Sequence, residues 1–128
     1  MIPEHIVKEI EDLRKEGHSI DLIESEGWVN VIFGNFSLPV GYNKTSATLL
    51  IKLPMSYPNG RPDMFWTDED LILKDGRVPR NADVIEIALE KKWRRFSWHP
   101  QSWNPGTDNL RTYLEFVNSG LVKARNLP

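Results

Sequence analysis

Ser97 and His99 are the residues whose types and spacing suit covalent chemistry in this chain. A hydroxyl is a weak nucleophile unless a base takes its proton, and imidazole is the usual base. In Phe96-Ser97-Trp98-His99 the two side chains share a parity, so an extended segment puts both on one face. That spacing permits proximity without requiring a hydrogen bond. Ser97 reads equally as a surface or turn serine, and His99 as a turn residue before Pro100 or a half-buried packing group. Ser102 is a rival hydroxyl, although its place just before Trp103-Asn104-Pro105 suits a turn or cap. The 128 residues include no cysteine, which excludes thiolate nucleophiles, disulfides and cysteine zinc sites.

Immediately upstream, Lys91, Lys92, Arg94 and Arg95 form a basic cluster around Trp93. It can dock an acidic partner, with Trp98 beside it, and it also reads as a solvated face. Trp93, Trp98 and Trp103 suit core or rim packing and lack the interleaved basic pattern of single-strand binders. Asp68, Glu69 and Asp70 read as a turn in preference to a cation site. No Gly-rich phosphate loop is present, and neither a metal nor a cofactor is expected.

Composition narrows the class. A net charge of −2 with 27% charged residues gives an ordinary polar surface, so no nucleic-acid partner is expected. No apolar run approaches the roughly 20 residues that span a bilayer. The start, Met1-Ile2-Pro3-Glu4, lacks the basic and apolar regions of a secretory signal, so a cytoplasmic location is expected. With 40% hydrophobic residues and five Trp, the chain has enough to build one core, and residues 1–128 read as a single domain.

The elements that must position the pair follow from periodicity. Pro3 opens an amphipathic helix over about residues 3–16, with Ile6, Val7, Ile10 and Leu13 at helical spacing and Gly17 as a stop. Ser25-Glu26-Gly27 is a turn, and Trp28 to Phe33 is rich in strand formers. Gly34-Asn35 reads as a second turn, with Phe36 to Val40 continuing the sheet. Thr48 to Leu53 is a third strand, with Leu49, Ile51 and Leu53 on one face, and Met64 and Trp66 suggest a short fourth. Leu71 to Gly76 suggests a small hairpin arm, and Val84 to Ala88 a helical turn or irregular strap. Asp108 is placed to cap a last helix running to Leu121, with Leu110, Tyr113, Leu114 and Val117 in its apolar stripe. The expected class is α+β: a helix, a four-stranded antiparallel meander, an irregular stretch and a C-terminal helix.

Two proline-bearing signatures stand out: Leu53-Pro54-Met55-Ser56-Tyr57-Pro58-Asn59-Gly60-Arg61-Pro62, and Trp103-Asn104-Pro105-Gly106 before the last helix. Prolines fix φ and prevent further ladder pairing, so the chain leaves the sheet along a set path. Together the signatures resemble the ubiquitin-conjugating enzyme family, whose third strand ends in a Pro followed by Tyr-Pro and a Pro-Pro pair. Only the first proline of that pair is changed here, to Arg61. Trp28-Val29-Asn30-Val31 and Leu38-Pro39 resemble the family's second strand and Pro-Tyr turn. The segment Trp103 to Gly106 resembles its Trp-Ser-Pro-Ala. Trp93 to Trp103, and the end of the chain soon after the following helix, further resemble compact bacterial members that accompany a ubiquitin-like protein, an activating enzyme and a JAB-type peptidase.

The resemblance implies a ubiquitin-conjugating fold and places the family's catalytic position near Arg95, Phe96 and Ser97. Ser97 is the nucleophile in that window. It would accept a ubiquitin-like protein from an activating enzyme as an oxyester, with His99 assisting and Asn104, Arg94 and Arg95 stabilising charge near the carbonyl. His99-Pro100-Gln101 echoes the family's His-Pro-Asn, although that motif precedes the cysteine and here follows Ser97. Catalytically dead family variants suggest the alternative, a module that holds a ubiquitin-like protein without chemistry. A structural subunit of some other complex is the third reading.

Overall fold

A computed structural model describes residues 1–126. Its elements are α1 (Glu4–Lys15), β1 (Ser19–Ser25), β2 (Trp28–Ser37), β3 (Ser46–Pro54), β4 (Phe65–Asp68), β5 (Val84–Ala88), β6 (Lys91–Phe96) and α2 (Leu110–Arg125). The strands form one antiparallel sheet in the order β1-β2-β3-β4-β6-β5. The architecture is α+β, but the sheet has six strands where four were expected.

Each element has a local cause. In α1, Ile6, Ile10 and Leu13 recur on one side and are buried, while Glu4 and Arg14 and Lys15 complement the helix dipole. Gly17, at φ 101°, turns the chain toward β1. The β1–β2 hairpin closes on Glu26-Gly27, with Ser25 opposite Trp28. Gly34-Asn35 is not a turn: β2 runs through it with a register shift between Phe33 and Phe36, and Asn35 takes a positive φ of 54°. The bulge absorbs the turn-like residues while Phe33 keeps its core position.

Val29, Val31, Phe33, Leu49, Ile51, Leu53, Phe65 and Phe96 line the sheet face against which both helices pack. From α2, Leu110, Tyr113, Val117, Leu121 and Ala124 complete that core. The opposite face carries a smaller cluster of Leu50, Trp66 and Trp93. Lys52 Nζ lies 4.9 Å above the Trp66 ring and Lys91 Nζ 4.3 Å above that of Trp93.

The stretch least readable in sequence departs furthest from expectation. Val84 to Ala88 is a strand, not a helical turn, and pairs with β6 through a two-residue turn, Leu89-Glu90. Both turn residues take positive φ without being glycine or asparagine, so the usual turn signature is missing. Four of the six β6 residues are Lys or Arg, and only Trp93 and Phe96 are buried, which hides its alternation. The expected hairpin arm over Leu71 to Gly76 does not form. Leu71 and Leu73 are buried instead, and a single bridge joins Leu73 to Tyr42. Asn109, not Asp108, caps α2: its side chain accepts from the Thr112 amide at 3.0 Å, and Thr112 Oγ1 accepts from the Asn109 amide at 2.9 Å. No described helix is long and apolar enough to cross a membrane.

Candidate functional site

The proline loop after β3 is tied to α1 through Tyr57, which is buried beside Trp103. Its hydroxyl donates to the Glu9 carboxylate at 2.8 and 2.9 Å, and its carbonyl accepts from His5 Nε2 at 2.8 Å. Glu9 also accepts the Leu110 amide at 2.6 Å, so one carboxylate joins α1, the loop and the first turn of α2. Burial pushes the Tyr57 phenol well above its ordinary range, and the charge and hydrogen bond of Glu9 push it further.

Onto this frame the loop clamps the segment carrying Ser97 and His99. Trp103 Nε1 donates to the Pro58 carbonyl at 2.7 Å. Arg61 donates to the Pro100 carbonyl at 2.8 Å. His99 Nδ1 lies 2.8 Å from Asp63 Oδ1. A carboxylate only accepts, so Nδ1 carries the proton and Nε2 of the neutral ring keeps its lone pair. Tyr113, from α2, donates to the Met64 carbonyl at 2.7 Å and holds the far end of the loop.

The predicted residues separate. Ser97 follows the end of β6; its amide donates to the Asn81 carbonyl at 2.8 Å, and its Oγ accepts from Arg95 Nε at 2.9 Å. No hydrogen bond joins Ser97 to His99 among the described residues, and the partner of His99 is Asp63 instead. Asn104 uses Oδ1 to accept the Gly106 amide at 2.9 Å, and its own amide donates to Asp108 at 2.7 Å, so it builds the turn before α2. Ser102 is exposed on the same loop. Trp98 packs against the core, and its Nε1 donates to the Arg80 carbonyl at 3.1 Å.

Strand alternation divides the basic cluster. Lys91 and Arg95 lie on the Trp66–Trp93 face, where Lys91 pairs with Asp68 at 2.9 Å and Arg95 reaches Glu86 at 3.4 Å. Lys92 and Arg94 lie on the other face. Arg94 donates to the Ala82 carbonyl at 2.7 Å and to the Glu69 carbonyl at 2.9 Å. The acidic run is likewise committed: Asp68 also accepts the Thr48 amide at 2.8 Å, and Asp70 pairs with Lys44 at 2.6 Å. Burial opposes ionisation of Asp68, yet the bonds from Lys91 and Thr48 and the charges of Lys91 and Lys44 hold its carboxyl below the usual range. No group of three or more His, Asp and Glu is arranged to hold a metal among the described residues.

Sequence reasoning missed Asp63 and Glu9. Asp63 lies 36 positions from His99, and no local pattern links them. The only signal was position: Asp63 directly follows the Arg61-Pro62 end of the proline signature.

The family described as Prokaryotic E2 family E has a model that matches residues 6–124. No curated protein and no solved structure matches the chain.

Proposed function

The chain belongs to the prokaryotic E2 family E, and from that premise we propose that it accepts a ubiquitin-like protein from an activating enzyme as an oxyester on Ser97 and passes it to a target. Ser97 Oγ adds to the activated C-terminal carbonyl carbon. The bond to the activating enzyme breaks, and the hydroxyl proton leaves with the departing group. In discharge, an incoming nucleophile adds to the ester carbonyl, the carbon–oxygen bond breaks, and Ser97 recovers a proton.

The observation that carries this reading is the Arg95 guanidinium bonded to Ser97 Oγ at 2.9 Å. A cation there stabilises the negative charge that builds on Oγ as it departs in the discharge step. His99, oriented by Asp63, supplies a base for the incoming nucleophile. A JAB-type peptidase belongs to the same proposed pathway, as the enzyme that would process or remove the modifier.

A second reading is favoured by the absence of a bond between Ser97 and His99 among the described residues. In it the chain holds a ubiquitin-like protein without reacting. A charging assay separates the two, with a cognate activating enzyme, ATP and the ubiquitin-like protein followed by gel and mass spectrometry. An adduct that survives thiol reductant, yields to hydroxylamine and disappears in Ser97→Ala establishes the ester. Reductant-stable charging that persists in Ser97→Ala moves the nucleophile, with Ser102 next. Non-covalent binding with no adduct establishes the holding module.

A further inference from the structure

The two outermost strands of the sheet, β1 and β5, are treated differently. The β1 edge is guarded. Arg14 reaches from α1 and donates through Nε and Nη2 to the Ile20 carbonyl at 3.2 and 2.7 Å. Asp21 and Glu24 add charge along that strand, and the amino terminus pairs with Glu24 at 2.7 Å. Such devices keep an edge from pairing with another chain.

Strand β5 is less guarded: its one charge, Glu86, lies on the Trp66–Trp93 face, where Trp66 Nε1 and Arg95 hold it. Its sequence, Val84-Ile85-Glu86-Ile87-Ala88, contains no proline and no lysine, and its register with β6 is continuous. In a hairpin closed by two residues, the flanking pair is hydrogen-bonded, and every second pair after it is too. Ala88/Lys91, Glu86/Trp93 and Val84/Arg95 therefore bond inward. The N–H and C=O of Ile85 and Ile87 then project from the sheet, and no turn or loop group occupies them among the described residues. The Ile87 side chain is 76% exposed and that of Ile85 42%.

Charge selects the occupant. On the isoleucine face of the next strand, Lys92 stands opposite Ile87 and Arg94 opposite Ile85. Lys92 is in no salt bridge among the described residues, whereas Arg94 is held by the Ala82 and Glu69 carbonyls and lies in the field of the Glu69, Asp70 and Asp83 carboxylates. A second copy fits poorly. Pairing Ile85 with Ile87 across a twofold would set Glu86 against Glu86, where like charges repel, and would bring the same cations again. An acidic strand would complement both the open backbone and the unpaired Lys92.

We propose that β5 is a docking strand that takes an extended acidic segment of a partner protein as an added strand of the sheet. This goes beyond the conjugation reading and does not depend on Ser97.

The test uses a fluorescein-labelled, end-capped peptide of three Glu-Val repeats, read by anisotropy at low salt and by amide hydrogen exchange. The expected result is saturable binding that slows exchange at Ile85 and Ile87. The same peptide with N-methylated amides, or with Lys in place of Glu, should bind at least about tenfold more weakly. Ile87→Pro removes one edge donor and should abolish binding. Lys92→Glu, at an exposed site, tests the charge term without threatening the fold and should weaken binding about tenfold. The proposal is overturned by absence of binding up to about 1 mM peptide. Binding that leaves Ile85 and Ile87 exchange unchanged also overturns it. So does protection of those amides that rises with protein concentration without peptide, since a second copy would then be the occupant.

Discussion

Asp63 decides what His99 is able to do. By holding Nδ1–H it fixes the tautomer and leaves Nε2 as the acceptor, the relation that an oriented base requires. Arg95 does the corresponding work for Ser97, so the two candidate groups are served by separate partners. Each can then be removed alone. In single-turnover discharge of the charged protein, His99→Ala should slow transfer by about 10² or more, the scale of a lost general base. Asp63→Asn keeps the ring and loses its orientation, so a smaller loss of about tenfold is expected. Both variants should still charge. If Asp63→Asn discharges at the wild-type rate, the pairing is structural only.

At the scale of elements, the proline loop and the segment after β6 behave as one clamp. Trp103 is its central pin, bonding to Pro58 and packing against both Tyr57 and Tyr113. Trp103→Phe keeps an aromatic ring but leaves the Pro58 carbonyl without its donor. A loss of about 1 kcal/mol in urea unfolding is expected. Tyr57→Phe removes one of the two donors to the Glu9 carboxylate, leaving it the Leu110 amide, and should cost about 1–3 kcal/mol. Asn109→Ala opens the capping box of α2 and should cost about 1 kcal/mol. The Trp-Asn-Pro-Gly signature was readable as the start of this unit, because Asn104 and Gly106 build a local turn. The cap was misplaced by one residue, because Asp108 and Asn109 are equally good capping types and only the fold turns Asp108 back onto the Asn104 amide.

Across the whole molecule, three buried phenols set an alkaline limit on stability. Burial raises Tyr42, Tyr57 and Tyr113 above their ordinary values. The unfolded chain then releases protons near pH 10 that the folded protein keeps. The stabilisation is fully present below that pH and is lost as pH rises above it. Thermal midpoints should be flat up to about pH 9 and fall steeply above pH 10, and Tyr113→Phe should make the fall shallower. A midpoint that stays flat to pH 11 would mean that the phenols reach solvent. Asp68 works at the other limit: held below its usual range, it contributes stability at neutral pH that fades as acid protonates it. Asp68→Asn should flatten the acid limb of the same curve.

The amino-acid sequence by itself determined α1, the Trp28 to Phe33 part of β2, β3 and α2, because each carries a strong local period or a run of strand formers. The pairing of β1 with β2 came from the fold, which carries β2 through the turn-like Gly34-Asn35. The sequence also determined the exit path of the proline loop, since proline restricts the chain wherever it stands. Its lack of cysteine settled which nucleophile is excluded. Tertiary structure alone decided the rest. Strands β5 and β6 have turn residues and a charge pattern that argue against a hairpin, and they form because β4 offers an edge and Trp93 and Phe96 find burial there. Ser97 and His99 share a parity in sequence, yet the chain leaves the strand after Phe96, and each side chain takes the nearest charged partner. Those partners, Arg95 two residues away and Asp63 across the proline loop, are matters of distance in space, which spacing along a chain does not encode.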